Sequence, residues 1–152
     1  MSWLTDRQLI HCVKRNADMA TLLAFQGVHM IDKLPQAVTH YPCLLIVNTQ
    51  AFNTPGEHWI AAFIGENRRG EIFDSLAISI PALLLRWMNR YTISFRRNTL
   101  QYQHASSSRC GAYVIFYVLN RLKNPQCIRE NFNSSLHKNE QRVSVFYRGL
   151  KK

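Results

Sequence analysis

The chain has 152 residues, 47% of them hydrophobic and 18% charged, which describes a folded domain with a proper core and excludes a disordered polyelectrolyte. Nineteen lysines and arginines stand against nine acidic residues, a net charge of +10, and a basic domain of this size points to a polyanionic partner, most often nucleic acid. The four cysteines are scattered with no CxxC pair, which argues against a zinc ribbon or a disulfide framework, and no apolar run reaches bilayer length. The first residues lack the basic-then-apolar layout of a signal peptide. The expectation is one intracellular domain with reduced thiols.

Residues 3–16 read as an amphipathic helix capped at Thr5 or Asp6, with Leu9, Ile10 and Val13 near one face. Residues 19–25 extend or follow it, Gly27 breaks the pattern, and a connecting stretch runs through Pro35, His40 and Pro42. The continuous apolar run 43–49 predicts a strand buried on both faces. A turn-rich loop at 50–57 leads to a second strand at 58–64. A hairpin turn at 65–70 then leads to a third at 71–74. Residues 80–91 read as a helix with Pro81 in its first turn; 92–97 and 99–103 are short strand candidates. The polar stretch from Gln103 to Arg109 runs straight into Cys110-Gly111 and a long apolar run, predicting a loop that feeds a buried helix ending near Pro125. A last helix spans 138–150. The order predicts an α+β fold.

A cysteine at a helix start sits where unpaired N–H groups and the positive end of the helix dipole favour an anion, which makes a thiolate nucleophile. Gly111 beside it leaves room for a substrate backbone to approach. His58 opens one strand and Asp74 closes the next strand of the same hairpin, so the carboxylate can hold one imidazole nitrogen while the other faces Cys110. That is the orienter–base–nucleophile logic of a triad. Gln103 and the backbone N–H of Cys110 are candidate donors to an oxyanion. His104 is the rival base, nearer in sequence but with nothing to orient it. Taken singly, each residue has a bland reading as core, turn former or strand end; the set in this order carries the argument.

The segments 43–49, Gly56-Glu57-His58-Trp59, Phe73-Asp74, and Gln103 followed seven positions on by Cys110-Gly111 resemble the adenovirus-type (adenain-like) cysteine proteases. More distantly they are similar to the ubiquitin-like-protein proteases of the same papain-like superfamily. The resemblance implies a mixed central sheet flanked by helices, with the nucleophile at the N-terminus of the central helix, in a single cysteine protease domain over 1–152. It implies Cys110 as nucleophile, His58 as base, Asp74 as orienter and Gln103 in the oxyanion hole, with Trp59, Gly56 and Gly111 beside the substrate. Asp74 stands where the adenovirus enzymes carry Glu. No cysteine occurs between 60 and 109 to attach an activating peptide through a disulfide.

The resemblance further implies an endopeptidase of a virus or virus-like element. It would cleave precursor proteins near Gly during virion maturation, as a monomer without a membrane anchor, in the virion and host nucleus. No cofactor is needed for the chemistry, with DNA or a viral peptide as candidate activators. Arg68, Arg69, Arg86, Arg90, Arg96 and Arg97, with Lys151 and Lys152, are the candidate phosphate contacts, whose binding should be strongly salt-dependent. The alternatives are a deconjugating protease for ubiquitin-like tails, an acyltransferase using the same residues, and a nonenzymatic basic DNA-binding protein in which Cys110 is structural.

Overall fold

The computed structural model describes residues 3–50 and 58–152. Helix α1 (Asp6–Asn16) opens with a capping box: the Thr5 hydroxyl accepts from the Gln8 N–H and the Gln8 side chain accepts from the Thr5 N–H. A short α2 (Met19–Ala24), capped by Asp18, runs directly into β1 (Phe25–Met30). Strands β2 (Cys43–Asn48), β3 (Trp59–Ile64) and β4 (Arg69–Phe73) form an antiparallel meander. After α3 (Ala82–Tyr91) comes β5 (Ser94–Arg97), then α4 (Cys110–Asn120), α5 (Cys127–Asn131) and α6 (Leu136–Arg148). The five strands lie in sequence order in one mixed sheet, with β1 parallel to β2 and β5 parallel to β4.

Alternation along the strands divides the core. Leu44, Ile46, Ala61, Phe63 and Phe73 face α4, which is buried along almost its whole length; α1 and α6 close over it. Leu45, Val47, Ile60, Ala62, Ile64 and Ile72 face Leu84, Trp87 and Met88 of α3. Every residue of β2 and β3 is buried, as expected of strands covered on both faces, and each such Leu or Ile contributes roughly 2 kcal/mol.

Four expectations are corrected. Residues 25–30 form a strand, not a helix end and connector: Gly27, at φ 95°, supplies a bulge that shifts the register between Phe25 and Val28. The second of the two short candidates, 99–103, is not a strand; its backbone instead donates from Tyr102 and Gln103 to the Ser75 carbonyl. His58 lies just before β3 rather than in it, although its carbonyl still accepts from the Thr49 N–H at 3.0 Å. Helix α4 stops at Asn120, short of the expected end, and the separate α5 follows. The loop 50–57, with Gly56, lies outside the described residues. Among the described residues no helix is long and apolar enough to cross a membrane, and no cluster of three or more His, Cys, Asp or Glu is set to hold a metal ion.

Candidate active site

Because β3 and β4 are antiparallel neighbours, the residue before β3 and the residue after β4 lie at the same end of the sheet. There the His58 Nε2–H donates to Asp74 Oδ1 at 2.7 Å; a carboxylate only accepts, which fixes Nε2 as the donor. Asp74 is 4% exposed. Its Oδ1 also accepts from the Leu76 N–H at 2.9 Å, and its Oδ2 from the Ile78 N–H at 3.3 Å. The tight turn that supplies these donors puts Ala77 at φ 53°, in the left-handed region.

Asn98 was not singled out by sequence. Its Oδ1 accepts from the Asp74 N–H at 2.9 Å, and its amide donates to the Asp74 carbonyl at 2.7 Å. The backbone of the acidic residue is thus clamped on both sides. An Asn after a basic strand reads as an ordinary turn former, so no sequence signal would have found it.

The other imidazole nitrogen, Nδ1, is buried and makes no hydrogen bond of standard geometry; the Cys110 sulfur lies near enough to act on the ring. Burial alone would push the imidazole down. The Asp74 hydrogen bond and the Cys110 sulfur outweigh it and raise the ring from 6.5 to about 9. Cys110 is the first residue of α4, and the N-cap residue Arg109 supplies no side-chain cap there, leaving helix N–H groups to favour negative charge. Burial pushes the other three thiols up, Cys43 to about 12, Cys127 to about 11, and Cys12 in the same direction. They are poor nucleophiles.

Gln103 is 1% exposed. Its carboxamide is held at both ends: Nε2 donates to the Ser107 carbonyl at 2.9 Å, and Oε1 accepts from the Ser75 hydroxyl at 2.6 Å. One amide hydrogen remains for a further acceptor. A buried imidazole tied to a carboxylate, a thiol acting on the same ring and an anchored amide donor can together perform acyl transfer through sulfur. The rival base His104 is exposed, its ring bonded to Ser106.

Two expected substrate contacts are taken up by the chain itself. Trp59 is 3% exposed, and its indole N–H donates to the Leu4 carbonyl at 2.9 Å. The space left by the missing side chain of Gly111 is filled by Leu4: a Cβ there would lie 2.9 Å from Leu4 Cδ1 and 3.1 Å from Leu4 Cβ. The segment before α1 is therefore pinned beside Cys110, where a substrate backbone was expected.

The basic residues divide. Arg69 and Arg96 line an open concavity of about 710 Å³ beside β4 and β5, and Arg86 and Arg90 line another with α3. Neither concavity includes His58, Asp74, Gln103 or Cys110. Arg68 stacks over Tyr41 at 4.4 Å, and Arg96 pairs with Glu71 at 3.0 Å while staying largely exposed. Arg97 is turned inward, donating to the Ile78 and Asn98 carbonyls at 2.6 and 2.8 Å. These bonds brace the turn that carries Asp74. Lys151 and Lys152 are exposed at the C-terminal end.

No family model matches the chain. It is 27% identical over 135 residues to the cysteine protease S273R of a Malawian tick isolate of African swine fever virus, covering 80% of this chain and 49% of the relative. It is 26% identical over 136 residues to the protein of a Namibian warthog isolate, called SUMO-1 cysteine protease S273R, with the same coverage. The chain therefore spans about half the length of the curated relatives it matches. The fold is that of the African swine fever virus pS273R protease crystal structure (TM-score 0.66, 22% identity, 93% of this chain and 66% of that one). It is also similar to the Chlamydia abortus effector protein ChlaDUB (TM-score 0.52, 15% identity, 94% of this chain and 76% of that one).

Proposed function

We propose that the chain is a single cysteine endopeptidase domain of adenain-like type, from a virus or virus-like element. The observation that carries this reading is the His58 ring, bonded at 2.7 Å to Asp74 and acted on as well by the Cys110 side chain. The likeness to S273R proteases supports it. With its proton already resting on the His58 ring, the Cys110 sulfur attacks the scissile carbonyl, and Gln103 with the Cys110 N–H stabilises the oxyanion. As the tetrahedral intermediate collapses, the C–N bond breaks and His58 returns the proton to the leaving amine. Water, deprotonated by His58, then hydrolyses the thioester and frees the thiol. Asp74 holds the ring in the required tautomer throughout.

The preferred substrates are precursor proteins cut near Gly during virion maturation. The net charge of +10 supports nonspecific DNA as an activator or track, through Arg68, Arg69, Arg86, Arg90 and Arg96. A second reading, removal of ubiquitin-like tails, is favoured by the SUMO-1 protease name of one relative and by the likeness to ChlaDUB. The test is hydrolysis of a fluorogenic peptide library with Gly around the scissile bond, alongside a SUMO-1 C-terminal amide substrate, with and without DNA. Cleavage abolished by Cys110→Ala and His58→Ala supports the endopeptidase, and cleavage confined to the SUMO-1 substrate selects the second reading. Turnover that survives Cys110→Ala refutes both.

A further inference from the structure

Asp74 and Ser75 are consecutive, and each is bonded to a different half of the candidate machinery. Asp74 holds His58. Ser75 is fully buried, and its hydroxyl donates to Gln103 Oε1 at 2.6 Å, while its carbonyl accepts from the Tyr102 and Gln103 N–H groups at 2.8 and 2.9 Å. Because Oε1 can only accept, the Ser75 proton is committed to it. At the other end Nε2 donates to the Ser107 carbonyl. An amide turned over would set Oε1 against that carbonyl, acceptor against acceptor. The hydroxyl therefore fixes which way round the carboxamide sits and holds it without rotation.

We propose that Ser75 is the positioning residue of the oxyanion donor, so that the dipeptide Asp74-Ser75 sets the base and the Gln103 amide from one point of the backbone. The proposal rests on the peptidase reading. An oxyanion donor works only when its N–H is aimed where charge develops and needs no reorganisation during the reaction. A Gln held at one end alone pays part of that reorganisation at each turnover.

The test is a double-mutant cycle with Ser75→Ala and Gln103→Ala, read as kcat and KM across pH. Ser75→Ala is expected to lower kcat about tenfold, a fraction of the roughly 10²–10³ carried by a whole oxyanion donor. KM and the pH dependence stay in place, since the His58–Asp74 bond is untouched. In the Gln103→Ala background the Ser75 substitution should cost nothing further, and Ser75→Thr, which keeps the hydroxyl, should recover most of the loss. An equal loss in both backgrounds, or no loss in either, overturns the proposal.

The orientation is also read without turnover, from the Gln103 side-chain amide signals by ¹⁵N NMR. Ser75→Ala should shift them and abolish their protection from hydrogen exchange. If the wild type is an active peptidase and these signals ignore Ser75, the proposal falls alone. If nothing is cleaved but the signals respond, the peptidase reading falls and the anchoring stands.

Discussion

Replacing Gly111 with alanine should change the sign of its effect according to what stands at position 4. In the wild type the new Cβ would meet Leu4 at 2.9, 3.1 and 3.2 Å, at Cδ1, Cβ and Cγ. Overpacking of this kind costs about 1–3 kcal/mol, and alanine returns up to about 1 kcal/mol of helix propensity. The net is a loss of about 1 kcal/mol, which in a chain of 152 residues lowers Tm by roughly 3 °C. Leu4→Ala alone costs about 2 kcal/mol for a buried leucine near the start of the chain, and it removes two of the three obstructing atoms. On that background Gly111→Ala should stabilise by up to about 1 kcal/mol, a coupling of about 2 kcal/mol. Urea unfolding of the four proteins measures it. Equal destabilisation by Gly111→Ala in both backgrounds would refute the reasoning that Gly111 exists to admit Leu4.

Three further outcomes follow from the site and its surroundings. The His58 ring, raised to about 9, should stay protonated in the folded protein well above neutrality. A raised folded-state value contributes stability in full below the unfolded value near 6.5 and loses it as pH rises to about 9, roughly 3 kcal/mol across that window. Imidazole NMR across pH should find this midpoint and see it fall in Asp74→Asn. Asn98→Ala leaves the Asp74 N–H without its partner and its carbonyl with the Ala77 N–H alone, so it should cost about 1–3 kcal/mol and lower the His58 midpoint. An unchanged titration would deny Asn98 its clamping role. Glu71 is held down against its own burial by Tyr117 at 2.5 Å, Arg121 at 3.0 Å and Arg96. Its contribution is therefore lost as pH falls through its lowered value. Glu71→Gln, which removes the carboxylate paired with the partly buried Arg121, should destabilise by about 1–3 kcal/mol with far less remaining acid sensitivity, checked by thermal melts from pH 7 to pH 3.

The meander and the buried helix were legible in sequence because each is written in a pattern that only one environment satisfies. Residues 43–47 and 112–119 are apolar without alternation, so they demand cover on all sides, and the structure gives it. His58, Asp74, Gln103 and Cys110 were legible through their order and spacing. What escaped depended on contacts between segments far apart in the chain. β1 is held by pairing with β2 and contains a Gly that reads as a breaker. Leu4 reaches across to Gly111 and Trp59. Ser75 and Asn98, ordinary turn residues in sequence, gain their roles only when 98–103 folds back onto 74–75. Arg97 looked like a free cation for the same reason.

The sequential order of the five strands has a consequence for how the chain acquires its structure. β2, β3 and β4 follow one another and pair as neighbours, so their contacts close short loops and form early. The helix that bears Cys110 must cross back over the finished meander, bringing together residues some fifty positions apart. During refolding the thiol should therefore remain open to solution after the sheet has become protected. Pulse labelling would then find Cys110 protected later than Cys43 of β2.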